Sequence, residues 1–297
     1  MNMMKLGVNT VDLFSGDHLI LNALPELDDL ALVQHVQRLR GELGVDLVEL
    51  PANMLVVCPH LFTERTIQAL GEYQQSSGVG YTVHLPFRGL DLSSLAQPVW
   101  EASIAAYREI ITRLEAELQV EHYVLHLTES MIKQVEGKAH LDWELREKLF
   151  EVMYARAESG LEKILETAPK DKVLVENIKS GWKEPFALAR KLGLGVCCDF
   201  GHLLLEGADP LVVVEQNRDL IREFHFHGVV ERQLDNGRTV LQDHQAVDRG
   251  VFALEEALEL LLADSFSGVL MIEVGRWEAA EASVRAVKAY LNKRINN

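Results

Sequence analysis

Eight short apolar runs, each followed by a stretch with helical patterning, constrain this chain more than any other feature of it. The runs fall at 5–9, 45–50, 81–85, 123–127, 173–177, 195–199, 223–228 and 269–274. Helical patterns follow at 27–40, 64–75, 93–117, 143–167, 185–192, 210–217, from Phe252 onward, and at 279–292. A strand covered on both faces reads as an unbroken apolar run rather than an alternating one. Strands that alternate with helices pair in parallel through βαβ crossovers, and eight such units close into a (β/α)8 TIM barrel of the α/β class. Neither a Pro/Gly/Ser linker nor a low-complexity tract interrupts the alternation, so one barrel domain over residues 1–297 is expected.

Six of the runs finish in side chains that bind metals or move protons: His84, His126, Glu176, Asp199, His225 and Glu273. Barrel strands aim alternate residues inward, and the C-terminal strand ends form the active-site face. Along Phe224-His225-Phe226-His227 the two imidazoles therefore share one face. After Asp199, a Phe200-Gly201 step presents His202 three residues on. Histidine and carboxylate donors together suit Zn²⁺, Mn²⁺ or Fe²⁺, whereas Mg²⁺ and Ca²⁺ prefer oxygen alone. Gathering so many ionisable groups is costly unless they pair or coordinate a cation. Glu49, ending the second run, is read as a substrate contact, and Arg88 and Arg276 as phosphate contacts at the mouth.

One insertion breaks the rhythm. Between the seventh run and its helix, residues 229–248 carry Asn236-Gly237 between two extended arms, a hairpin signal, and lead to Gln242-Asp243-His244. In a barrel this segment lies over the active-site face.

The charge balance narrows the partners. Lys plus Arg is 29 and Asp plus Glu is 45, a net charge of −16, with no basic stretch. Such a chain is not built to grip a nucleic-acid duplex, although a small phosphate remains accessible to a local arginine. No apolar run is long enough to span a bilayer, and no signal-peptide core is seen, so a cytoplasmic protein is expected. Cys58, Cys197 and Cys198 are expected as reduced core residues, because neighbours in a strand rarely meet disulfide geometry. His18, His35, His60, His122 and His140 stand away from the strand ends and are read as surface groups.

The order of these residues resembles the xylose isomerase-like barrel superfamily, which includes endonuclease IV and the sugar epimerases, and the resemblance runs over the whole chain. Val175-Glu176-Asn177 is similar to its fifth-strand Glu-Asn, Asp199-Phe200-Gly201-His202 to its Asp-x-x-His, His225-Phe226-His227 to its His-x-His, and Ile272-Glu273 to its eighth-strand Glu. The resemblance implies that Glu176, Asp199, His225 and Glu273 hold a central divalent metal. It also implies that His84 and His126 hold a second one together with Glu176, as in the endonuclease IV branch. His202 and His244 match that branch's third-metal histidines, but Gln242 stands where it has an Asp, and His227 is the nearest substitute. The catalytic groups implied are Glu176, Glu273, His202 and His244, with His227 joining Glu49, Arg88 and Arg276 around the substrate.

Two metals suit phosphoester hydrolysis, whereas one metal flanked by glutamates suits proton transfer beside a carbonyl. His84 and His126 favour the first. The expected protein is thus a metal-dependent phosphodiesterase acting on a small nucleotide-bearing molecule. The cobamide-remodelling family, which cuts the nucleotide loop to release α-ribazole and leave cobinamide phosphate, supplies the substrate the resemblance implies. Zn²⁺ is the expected cofactor, one or two per chain, with Mn²⁺ the alternative. A sugar or sugar-phosphate isomerase/epimerase is the runner-up, and a non-catalytic ligand-binding barrel the alternative from another class. Oligomeric state is left open.

Overall fold

The computed structural model describes residues 4–10, 30–56, 58–128, 142–178, 181–252, 254–263 and 266–295. Among them, eight parallel strands close a barrel: β1 (Lys5–Asn9), β2 (Leu47–Leu50), β3 (Gly80–His84), β4 (Val120–Leu125), β5 (Val173–Glu176), β6 (Gly195–Asp199), β7 (Ile221–Phe226) and β10 (Val269–Ile272). Each strand pairs with its sequence neighbour in the barrel, and β10 closes the ring against β1 and β7. The covering helices are α1 (Ala31–Arg38), α2 (Glu64–Ser77), α3 (Gln97–Glu115), α4 (Trp143–Leu165), α5 (Lys183–Leu192), α6 (Phe200–Leu205), α7 (Pro210–Asn217), α8 (Leu254–Ala263) and α9 (Trp277–Ile295). None of them is long and apolar enough to cross a membrane.

The expected hairpin is present as β8 (Gly228–Gln233) paired antiparallel with β9 (Thr239–Gln245). Residues 27–29 of the expected first helix, and His18 and His140, lie outside the described residues. The fourth strand starts at Val120 rather than at 123, since Val120 already pairs with Tyr81. Helix α6 was not expected. Asp199 starts it directly at the strand end, its Oδ1 accepting from the His202 N–H at 2.6 Å.

Strand parity decides what lies inside. Odd positions of β7 put Glu223 and His225 toward the axis, while Phe224 and Phe226 turn outward onto Phe200, and Phe224 also meets Phe266. Low in the barrel two interior clusters are apolar. Leu47 packs with Val269 and Met271, and Val124 packs with Leu174 and Cys197. Bulk is balanced by glycine there: a Cβ on Gly7 would come within 2.6 Å of Met271 Cε, and one on Gly80 within 2.9 Å of Leu47 Cδ2. All three cysteines are buried and unbridged.

Candidate metal centre

The same parity that buries Leu174, Cys197 and Met271 brings Glu176, Asp199 and Glu273 to the axis two residues later, beside His225. One potential ligand atom from each of Glu176, Asp199, His225 and Glu273 lies within 4.8 Å of all the others. His225 Nδ1 stands 3.2 Å from Glu273 Oε2 and 3.4 Å from Glu176 Oε1. All three of these atoms are buried, and none makes a hydrogen bond. Buried polar atoms in native proteins are nearly always satisfied. Mixed imidazole and carboxylate donors around orphaned atoms fit a divalent transition-metal cation.

Burial pushes the Glu176 carboxyl upward, but His126 and His225 outweigh it and hold it well below the usual carboxylate range. Glu273 is held down in the same way against burial by His225 and His244. Burial opposes protonation of His225, yet Cys197, Glu176, Glu49 and Glu273 leave it well above its ordinary value. This ring of charges holds its own balance of signs.

Beside the centre, His126 Nε2 lies 2.9 Å and His84 Nε2 3.5 Å from the other oxygen of Glu176, Oε2. His84, His126 and Glu176 form a second possible cation group that shares Glu176 with the first. Phe87 stacks on His126 at 4.8 Å and meets His84 edge-on at 5.1 Å, so both rings are held from the outer side.

A third group joins His202, His227 and His244. His202 Nδ1 lies 2.9 Å from the Asn177 carbonyl, which leaves Nε2 as its available nitrogen. Asn177 also clamps Asp199: its Nδ2 donates to the Asp199 carbonyl at 2.9 Å, and its Oδ1 accepts from the Asp199 N–H at 2.8 Å. His244 comes from the hairpin. The register passes from Gly228–Gln245 to Val230–Gln242, one residue more on β9, which is a bulge. His244 sits in that bulge with φ of 54°, the one non-glycine positive φ among the described residues. Burial lowers its pKa, but Glu273 and Asp243 overcome this and push it up to about 11.

Of the residues expected from sequence, His84, His126, Glu176, Asp199, His202, His225, His227, His244 and Glu273 are gathered here. Glu49 is placed beneath the centre instead of at the mouth. It is 2% exposed, with Oε2 3.2 Å from His225 Nε2. Arg88 and Arg276 are exposed on the loops after His84 and Glu273, and neither is ion-paired with another described residue. His122 is no surface group. Its parity turns it into the lower barrel, where Nδ1 meets the fully buried Glu223 at 2.8 Å. Phe87, Glu223, the Asn177 clamp and the Asp243 contact were not singled out by sequence. Parity alone would have found Glu223, two residues before His225 on the same strand face.

Fold and donors together define a parallel barrel with a His/carboxylate centre at its C-terminal face. The chain belongs to the xylose isomerase-like TIM barrel family, whose description it matches over residues 36–293. A D-tagatose 3-epimerase-like protein is similar in structure, with TM-score 0.69 and 20% identity over 98% of this chain and 100% of that one. Endonuclease IV from Thermus thermophilus is similar with TM-score 0.62 and 19% identity, over 97% of this chain and 99% of that one. The 3-keto-D-glucoside 4-epimerase from E. coli gives 0.65 and 15%, over 97% and 99%. At these identities the likeness shows a shared fold. A search of the curated proteins found no match.

Proposed function

We propose that this protein is a metal-dependent phosphodiesterase acting on a small nucleotide-bearing molecule, with the nucleotide loop of a cobamide as the first substrate to test. The observation that carries the reading is the two-sided use of Glu176. One oxygen faces His126 and His84 at 2.9 and 3.5 Å, and the other faces His225 at 3.4 Å. A carboxylate so placed can serve two cations. Bound there, two divalent cations, Zn²⁺ before Mn²⁺ for this donor set, supply charge stabilisation on the attacking and leaving oxygens of an in-line displacement. The chain's own groups do the rest. His244, whose pKa Glu273 and Asp243 push up against burial in the metal-free chain, stands 3.6 Å from Glu273 and can offer a proton toward a phosphoryl oxygen or the leaving side. Arg88 and Arg276 are free to meet a phosphate from the rim. The net charge of −16 favours a small substrate over a duplex.

A second reading, a sugar isomerase or epimerase, is favoured by one feature. Glu176 and Glu273 approach the same nitrogen of His225 at 3.4 and 3.2 Å, and two such carboxylates can exchange a proton at a carbon beside a carbonyl. Metal analysis of the purified protein, joined to a screen of phosphodiesters, cobamides and ketoses, separates the two. The phosphodiesterase reading expects two cations per chain and cleavage of a cobamide to α-ribazole and cobinamide phosphate. One cation per chain, epimerisation of a ketose and full activity after His84→Ala and His126→Ala would overturn it.

A further inference from the structure

His227 does not stand free among the three clustered imidazoles, because both of its ring nitrogens are engaged. The His244 N–H donates to His227 Nδ1 at 3.0 Å, so that nitrogen presents a lone pair and the ring proton sits on Nε2. Nε2 lies 3.2 Å from Asp199 Oδ2 and donates to it. The Gly228 carbonyl, 3.4 Å from Nδ1, is the more distant competitor, and a proton placed on Nδ1 to satisfy it would face the His244 N–H. Asp199 thus receives one donor on each oxygen, His227 on Oδ2 and the His202 N–H on Oδ1. One oxygen of Asp199 also lies within 4.8 Å of ligand atoms of Glu176, His225 and Glu273.

Two more features hold the ring in this place. It stacks flat on His244, with centroids 4.4 Å apart and planes 10° from parallel. Gly201 leaves the room it needs, since a Cβ there would come within 1.9 Å of His227 Cε1 and 2.6 Å of both nitrogens. His244 itself belongs to the bulged strand β9.

We propose that His227 is a positioning residue whose Nε2 donor holds the Asp199 carboxylate in place for the central cation, while its Nδ1 separately anchors the backbone of the hairpin insertion at His244. The inference rests on Asp199 being a ligand of that cation. It assigns His227 to neither substrate nor a third cation. Groups that orient a ligating side chain typically change metal affinity tenfold to a hundredfold when lost.

The test uses the full-length, metal-free chain carrying His84→Ala and His126→Ala, so that Co²⁺ is kept from the group of His84, His126 and Glu176. Affinity is read by chelator competition, and coordination by the visible d–d spectrum. His227→Gln keeps a donor toward Asp199 but loses the acceptor for the His244 N–H. His227→Asn keeps that acceptor but cannot reach Asp199. The expected result is Co²⁺ affinity within about threefold of the parent for His227→Gln and about tenfold to a hundredfold weaker, with an altered spectrum, for His227→Asn. Gly201→Ala, which evicts the ring, should behave as His227→Asn does, with unchanged far-ultraviolet circular dichroism marking an intact fold. Amide exchange at His244 should quicken in His227→Gln but not in His227→Asn. Parent-like affinity and spectrum in His227→Asn, equal losses in both variants, or unaltered exchange in His227→Gln would overturn the proposal. A parent chain that binds no Co²⁺ would overturn the ligand reading beneath it, a distinguishable failure.

Discussion

Glu49 Oε2 lies 3.2 Å from His225 Nε2, directly opposite the nitrogen that faces Glu176 and Glu273. A histidine that ligates through one nitrogen is commonly oriented by a carboxylate on the other, which fixes its tautomer and raises its basicity. Burial pushes the Glu49 carboxyl up, against the pull of His225, and the pair lies in the barrel interior rather than at its mouth.

Glu49→Gln should therefore weaken the central cation by about tenfold or more while leaving the fold intact, as measured by chelator competition and circular dichroism. The amide keeps the volume but cannot accept as strongly from the imidazole. A substrate contact would behave differently, raising KM with cation content unchanged. That second pattern would end the orienting role assigned here.

Sharing of Glu176 makes a separate prediction about His126. His126→Ala removes one of two nitrogen donors from the group of His84, His126 and Glu176 while sparing Asp199, His225 and Glu273. Cation content by mass spectrometry should fall from two per chain to one, and phosphodiester turnover should drop by at least about a hundredfold, the order of loss of a major transition-state stabiliser. Unchanged stoichiometry would mean that the outer histidines hold no cation.

Arg88 and Arg276 are exposed and lack an ion-pair partner among the described residues, so removing either should cost little stability. The thermal midpoint of Arg88→Ala or Arg276→Ala should stay within about 2 °C of the parent, as surface changes usually do. If they meet a substrate phosphate, KM should rise about tenfold with kcat little altered, and the effect should shrink in high salt. Identical steady-state constants in both variants would remove them from the site.

Much of this arrangement could be read from the chain alone, for a physical reason. A (β/α)8 barrel repeats one short unit, so the positions of Glu176, Asp199 and Glu273 relative to their apolar runs suffice to bring them to one end of one axis. Parity did the rest for His225 and His84. What escaped depended on contacts that no local pattern encodes. Glu49 ends its strand much as Glu176 does, but it lies beneath the imidazole of His225. His122 looked like a surface residue because its partner Glu223 is 101 positions away. The bulge that turns His244 inward breaks the alternation of β9, and no glycine there announces a positive φ. Gly201 stood in plain view within Asp199-Phe200-Gly201-His202, but its purpose appears only once the His227 ring is seen against it.

Cation binding should also stabilise the fold in a pH-dependent manner. A ligand present at a hundred times its dissociation constant contributes about 2.7 kcal/mol, which for a chain of this size raises the thermal midpoint by roughly 4 °C at pH 7. The sign of the pH dependence follows from the metal-free centre. Burial works against protonating His225 and His84, but neighbouring groups (Cys197 and the carboxylates for His225, Glu176 and Glu49 for His84) leave both raised, so a cation must displace protons from them. Each raised histidine stabilises the metal-free chain fully below its unfolded pKa, an advantage lost only as pH rises through its folded value. Glu176 and Glu273 act the opposite way. Depressed by their histidines against burial, they support the fold above the ordinary carboxylate pKa and lose that support only as pH falls through their folded values. Between pH 7 and 5 the metal-free midpoint should accordingly rise slightly and level off below the unfolded histidine pKa, while the increment gained from Zn²⁺ shrinks as protons compete for the imidazoles. Paired thermal melts with Zn²⁺ and with a chelator across that range measure the increment directly. An increment that holds constant or grows toward pH 5 would show that these imidazoles are not what the cation binds.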